Sequence, residues 1–61
     1  MLFRYAVKLH GGDEIELKST GEVGKVLSTY VDKTNKVVRI EAIFPASGYI
    51  PMDNLTHRDI L

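Results

Sequence analysis

The chain contains no cysteine, and that absence removes disulfides, zinc–thiolate centres and thiol nucleophiles together. Histidine is scarce as well, with only His10 and His57, far apart in the chain. An excess of one charge is missing too: eight basic and eight acidic side chains leave a formal net charge of zero. A dedicated nucleic-acid binder draws much of its affinity from neutralised phosphates and carries a basic excess, which this chain lacks. No apolar run approaches the ~20 residues that cross a bilayer, so no membrane contact is expected. The opening "MLFRYAVK" holds no apolar stretch of secretory-signal length, which makes a cytoplasmic protein the expectation. No linker, repeat or low-complexity segment divides residues 1–61, and they read as one domain.

What is present is a globular composition, with 44% apolar residues. A chain of this length buries only about 60% of the surface its unfolded form exposes. Small domains therefore lean on a disulfide, a metal or a partner. With thiols gone and the histidines apart, association with itself or with another protein is the support left over.

Two short runs near the start alternate in polarity. In residues 2–9, Phe3, Tyr5, Val7 and Leu9 fall on one face of an extended chain and Arg4, Ala6 and Lys8 on the other. In "EIELK", Ile15 and Leu17 alternate with Glu14, Glu16 and Lys18. Joining the runs by a three-residue loop, Gly11 to Asp13, sets Leu9 opposite Ile15 and Val7 opposite Leu17. A two-residue loop would set Leu9 and Val7 against glutamates, so the pattern selects the longer one. The glycines of "LHGGDEIEL" then serve a turn.

The next stretch, "STGEVGKVLSTYVDKTNK", carries two signals. Ser19 and Glu22 have capping-box spacing, and Val23, Val26, Leu27, Tyr30 and Val31 form one stripe of a helix. Against that, Gly21 and Gly24 are poor helix formers, and Val, Thr and Tyr favour strands. "DKTN" would equally make a hairpin turn joining residues 26–31 to 36–44. Helix is the leading expectation and strand the alternative.

"KVVRIEAIF" is the clearest strand, with Val38, Ile40, Ala42 and Phe44 on one face and Val37, Arg39, Glu41 and Ile43 on the other. "PASG" is a turn, after which Tyr49 is expected to face Phe44. Pro51 has no amide hydrogen, so the strand "YI" should lie at an edge or end there. "DNLTHRDIL" fits either a helical turn from Asp53 or a last strand from Thr56 to Ile60. The assembled order is strand, strand, helix, strand, strand: a small α+β domain with one helix on an antiparallel sheet, the alternative being a small all-β barrel.

Candidate sites follow from this layout. His10, Asp13, Glu14 and Glu16 include metal-ligating types, but the favoured register spreads them along a solvated outer face, so neither a metal nor a cofactor is expected. "THRD" brings Thr56, His57 and Asp59 close in sequence without a nucleophile motif. A domain this small is also a poor host for a 300 Å3 pocket. The chain is therefore not expected to be an enzyme. Lys25, Lys33, Lys36 and Arg39 cluster and would form a basic stripe, the alternative nucleic-acid surface, although cations also suit a helix end. The acids Asp13, Glu14, Glu16 and Glu22 gather elsewhere and read as a solvated surface. The more telling excess is apolar. Leu2, Ala6, Val37, Ile43, Ile50, Ile60 and Leu61 fall where one covering helix does not reach, and uncovered apolar groups of that number mark an interaction surface. Ile43, Tyr49, Ile50 and Ile60, with an edge strand, are the expected protein-binding residues.

With "VVRIEAIF" and "GYIPMDNLTHRDI" the layout resembles small ββαββ-type proteins encoded by phages and mobile elements of Gram-positive bacteria, which often end in a "YI…NLT" phrase. Pro51 departs from the uninterrupted strand of that pattern. The resemblance implies a non-enzymatic regulator or adaptor that binds a host or phage protein. It carries over no functional residue. A protein partner, with homodimer formation, is the resulting expectation.

Overall fold

The computed structural model describes residues 1–61 as an antiparallel four-stranded sheet in the order β1-β2-β3-β4. The strands are β1 (Glu14–Glu16), β2 (Val23–Asp32), β3 (Val37–Phe44) and β4 (Gly48–Ile50). A single helical turn, α1 (Phe3–Ala6), precedes them and a 3-10 turn (His57–Asp59) follows. The expected helix between the second and third strands is absent. The fold is mostly sheet, as in the all-β alternative, but the sheet stays open between β4 and β1.

The first correction concerns residues 2–9. They form a helical turn, with Tyr5 and Ala6 donating to the Leu2 carbonyl and Val7 to that of Phe3. Ala6 is buried, and Phe3 and Leu9 pack against the core, while Tyr5 and Val7 are exposed. The inward residues therefore recur every three positions. Almost every residue here is apolar, so the sequence satisfies both periods, and packing against the core selects the helical one. No hairpin forms between this segment and β1. His10 to Asp13 do turn the chain: Asp13 N–H donates to the His10 carbonyl at 3.1 Å, and the Asp13 carboxylate accepts from His10 N–H at 2.8 Å. Gly12 has φ 95°, the left-handed conformation that glycine reaches freely.

The second correction concerns β2. The helical stripe is split by the structure, which buries Val26 but leaves Val23, Leu27 and Tyr30 exposed. Val26 pairs with Ala42 and Ser28 with Glu41, so Leu27 is the extra residue of a β-bulge. Gly24 explains why β2 lies so close to its neighbours. A Cβ there would run into the Ile43 carbonyl and the Phe44 ring. A strand glycine of this kind marks a close backbone approach. The turn into β3 is held by Asp32, whose carboxylate accepts from Thr34 N–H, Asn35 N–H and the Asn35 amide.

β3 is the expected strand with the expected faces: Val38, Ile40, Ala42 and Phe44 are buried. Its pairing with β4 sets Tyr49 opposite Ile43, and Gly48 rather than Tyr49 opposite Phe44. β4 lies at the sheet edge and stops at Ile50, just before Pro51.

The tail takes neither expected form: no helix starts at Asp53 and no strand runs from Thr56 to Ile60, but isolated bridges at Thr56 and Ile60 flank a 3-10 turn. Leu55 accepts from Ile40 N–H, and Thr56 bridges Arg39. The 3-10 turn follows, with Thr56 N–H and hydroxyl donating to the Asp59 carboxylate. Ile60 then bridges Leu17, Lys18 N–H donates to the Asp59 carbonyl, and Leu61 N–H donates to that of Glu16. Ile60 is 0% exposed, a core residue and not the surface residue expected. Ala6, placed in the same uncovered set, is buried too, and Val37 and Ile50 are half-buried. Ten side chains form the core, drawn from α1, β1, β2, β3 and the tail.

Two substitutions check this packing by urea denaturation. Ile60→Ala should cost about 2–4 kcal/mol, the range for truncating a fully buried Ile. Gly24→Ala should cost about 1–3 kcal/mol, because the added methyl meets backbone that cannot swing aside.

Candidate functional site

The outward side of the sheet is built by simple alternation. On β3, Arg39, Glu41 and Ile43 point away from the buried set. Strand pairing extends this face sideways: Tyr30 lies opposite Arg39, Ser28 opposite Glu41, and Ile43 lies between Lys25 and Tyr49. Five large side chains of this face stay about half exposed: Tyr30 56%, Tyr49 54%, Ile43 50%, Val23 49% and Leu27 48%. At its centre the Glu41 carboxylate accepts from the Tyr49 hydroxyl at 2.5 Å and from Ser28 at 3.1 Å. The same bond holds the phenolic proton and pushes the Tyr49 pKa above its ordinary value.

Of the expected protein-binding residues, the structure brings Ile43 and Tyr49 together on this exposed face. Ile50 lies half-buried against the core and Ile60 lies within it. The basic residues separate. Lys25 and Arg39 lie on the outward face, whereas Lys33 and Lys36 lie in the turn joining β2 to β3. Val23, Leu27 and Tyr30 belong to the face but were assigned to the inner stripe of a helix. The β-branched run "VGKVLSTYV" is the signal that places them correctly.

Glu22 has a role that its capping-box spacing does not suggest. Its carboxylate accepts from Thr20, from Ala46 N–H at 2.7 Å, and from Ser47 N–H at 2.9 Å and hydroxyl at 2.5 Å. The segment before β2 is thereby fastened to the turn between β3 and β4. The donors, Ser47 first, hold the Glu22 pKa down at about 2.

"THRD" is structural. His57 is buried, and its Nδ1 accepts from Val38 N–H at 3.1 Å, so the ring proton resides on Nε2. The Phe3 ring meets it edge-on at 5.9 Å. Burial lowers the His57 pKa, and Thr56 and Asp59 satisfy one another. The surface does hold open depressions of about 400 to 550 Å3, larger than chain length alone suggested. One has an apolar floor of Leu17, Ile50 and Leu55; another is polar and includes Arg39, Asp53 and Arg58. No three metal-ligating side chains gather, and no helix is long and apolar enough to cross a membrane. Comparison with protein-family models, with curated proteins and with solved structures finds no match to this chain.

Three shifted groups shape the acid side of the pH profile: His57, Glu22 and Asp32, whose carboxylate the Asn35 amide holds below its ordinary 3.8. His57 has a folded pKa below its ordinary 6.5, so its contribution is present above that pH and is lost as pH falls toward the folded value. Glu22 contributes above its ordinary 4.5, and that contribution is lost as pH falls through about 2. Urea midpoints measured from about pH 8 to about pH 2 should therefore fall in two stages. Glu22→Gln should lower the midpoint at neutral pH and shrink the lower stage to the part that Asp32 supplies, while leaving the upper one in place.

Proposed function

We propose that this chain is a small non-enzymatic, cytoplasmic regulator or adaptor that acts by protein–protein contact and forms a homodimer. In kind it would be a phage-encoded modulator of a host protein. The observation that carries this reading is the set of five half-exposed apolar side chains on one sheet face. Scattered apolar residues are normal on any protein surface. Val23, Leu27, Tyr30, Ile43 and Tyr49 are instead gathered on adjacent strands, and gathered apolar surface marks an interaction site. Tyrosine and arginine are also the residue types that most often dominate binding energy, and Tyr30, Tyr49 and Arg39 share the face.

One observation favours the nucleic-acid alternative. Tyr30 lies beside Arg39, with Lys33 and Lys36 in the adjoining turn, as a base-stacking platform with backbone contacts requires. Glu41 on the same face and Glu14 and Glu16 on β1 oppose it, so protein contact is the better fit.

Sedimentation equilibrium between ~10 μM and ~1 mM should give a mass above one chain at the upper end, as expected of a small, weak interface. Tyr49→Asp should weaken association at least ~10-fold while the chain still folds, at a cost of about 1–2 kcal/mol because the bond to Glu41 is lost and a like charge is set beside it. Binding of a single-stranded oligonucleotide that falls steeply with salt would favour the alternative instead.

A further inference from the structure

We propose that two copies join edge to edge, β4 against β4, antiparallel about a two-fold axis at Tyr49. The two sheets then continue as one. This pairing rests on the protein-contact reading above and names its geometry.

The first support is the state of the two sheet edges. The tail covers only the end of β1 and the residues after it, where Leu17 bridges Ile60, Glu16 accepts from Leu61 N–H and Lys18 donates to Asp59, and the rest of that short edge carries the charges of Glu14 and Glu16. β4 pairs only with β3, and no other backbone or side-chain hydrogen bond reaches the main chain of Gly48, Tyr49 or Ile50. The main-chain groups on its outer side are thus unpaired. An unpaired strand edge selects one kind of occupant, an extended backbone. One uncharged free edge per copy also fixes the assembly. Strand addition between copies has only β4 to meet β4, and an isologous pairing closes at two instead of growing into a fibre.

The second support is what the edge carries. Soluble proteins guard open edges by keeping them short or with lysine, proline or inward-pointing charge, and β4 at 3 residues is short. Gly48, Tyr49 and Ile50 carry no charge, and Pro51 lies just outside, where it ends the pairing instead of preventing it. A strand of 3 residues stopped at Pro51 has one register that pairs all of them: Tyr49 opposite Tyr49, and Gly48 opposite Ile50. Gly48 has no side chain, so Ile50 of the second copy meets open space on the inner side. On the outward side the two Tyr49 rings meet beside Ile43. Glu41, one strand inward, already has its carboxylate engaged by Tyr49 and Ser28.

Such an interface falls at the small end of the range, so a dissociation constant on the order of 10–100 μM is expected. The absence of cysteine provides a clean test. Tyr49→Cys places a single thiol at the two-fold axis, where directly opposed Cα atoms stand roughly 4.5–5.5 Å apart, within the Cα separation a disulfide spans. Tyr30→Cys places one on the same face, away from the edge. In air at about 200 μM, Tyr49→Cys should cross-link at least ~10-fold faster than Tyr30→Cys, because pairing holds its thiols at millimolar effective concentration. Amide exchange at residues 48–50 of the unmodified chain should also slow as concentration rises, a readout independent of any substitution. A dimer in which Tyr30→Cys links as fast, with unchanged exchange at residues 48–50, would overturn the edge pairing and leave protein contact standing. A chain still monomeric at ~1 mM would overturn the pairing and the homodimer together.

Discussion

A single four-stranded sheet has one face that must be buried and no second sheet to bury it against. Everything else in this protein follows from how that face is covered. The tail from Leu55 to Leu61 does most of the work, fastened at one end to β3 and at the other to β1. Leu55 takes the Ile40 amide and His57 takes the Val38 amide, and the Asp59 carbonyl and Leu61 amide then engage Lys18 and Glu16. Between these fixings Leu55 and Ile60 are driven into the core. The start of the chain fills the remaining space: Ala6 is buried, Phe3 meets His57, and the Met1 nitrogen donates to the His57 and Ile60 carbonyls. A buried imidazole at this junction must stay neutral to accept from Val38, which makes the closure sensitive to acid.

Covering one face in this way has a consequence for the other. The first and last segments of residues 1–61 lie on the inner side, and none of these residues shelters Val23, Leu27, Tyr30, Ile43 and Tyr49. The tail also occupies the end of the β1 edge, and Glu14 and Glu16 put charge along the rest, which leaves β1 a poor place for another strand to add. What remains free is one face and one edge, and these meet at Tyr49. A chain of 61 residues has little surface to divide between tasks. Pairing through the edge leaves most of the face available and sets two copies of it side by side.

The parts legible in the sequence were those in which one pattern stood alone. "KVVRIEAIF" alternates cleanly and is β-branched, and its strand, its faces and its neighbouring turns are all found. Pro51 ends β4 because a missing amide hydrogen has the same meaning in any context. Two patterns competed in residues 19–31, and the helical one was misleading. Glu22 sits at capping-box spacing yet binds the Ala46 and Ser47 amides far along the chain. The bulge at Leu27 breaks the simple alternation that would have revealed a strand. The glycine that looked like a helix defect, Gly24, is a packing requirement instead. At the start, apolar residues at nearly every position supported two periods at once. Ile60 was misplaced for a third reason: whether a tail residue is core or surface depends on where the tail lies, which no local pattern encodes. Of the expected site, Ile43 and Tyr49 were legible because β3 was, and Tyr30 and Leu27 were lost with the helix.

The position of Glu41 separates the two ways in which this surface could be used. Its carboxylate lies amid apolar side chains, held by the Tyr49 and Ser28 hydroxyls. A flat apolar partner pressed over the whole face would strip water from that carboxylate and supply no donor in return, a cost that hydrogen bonds to two hydroxyls only partly offset. Two copies stacked face to face would incur it twice. Edge pairing avoids it, since the new contacts are main-chain bonds and the meeting of the Tyr49 rings at the margin. A partner for the face itself then has a chemical requirement: a donor, such as an arginine or lysine head or an amide, set among apolar side chains and aimed at Glu41. The same charge that disfavours face-to-face self-association therefore gives the face a means of choosing its partner.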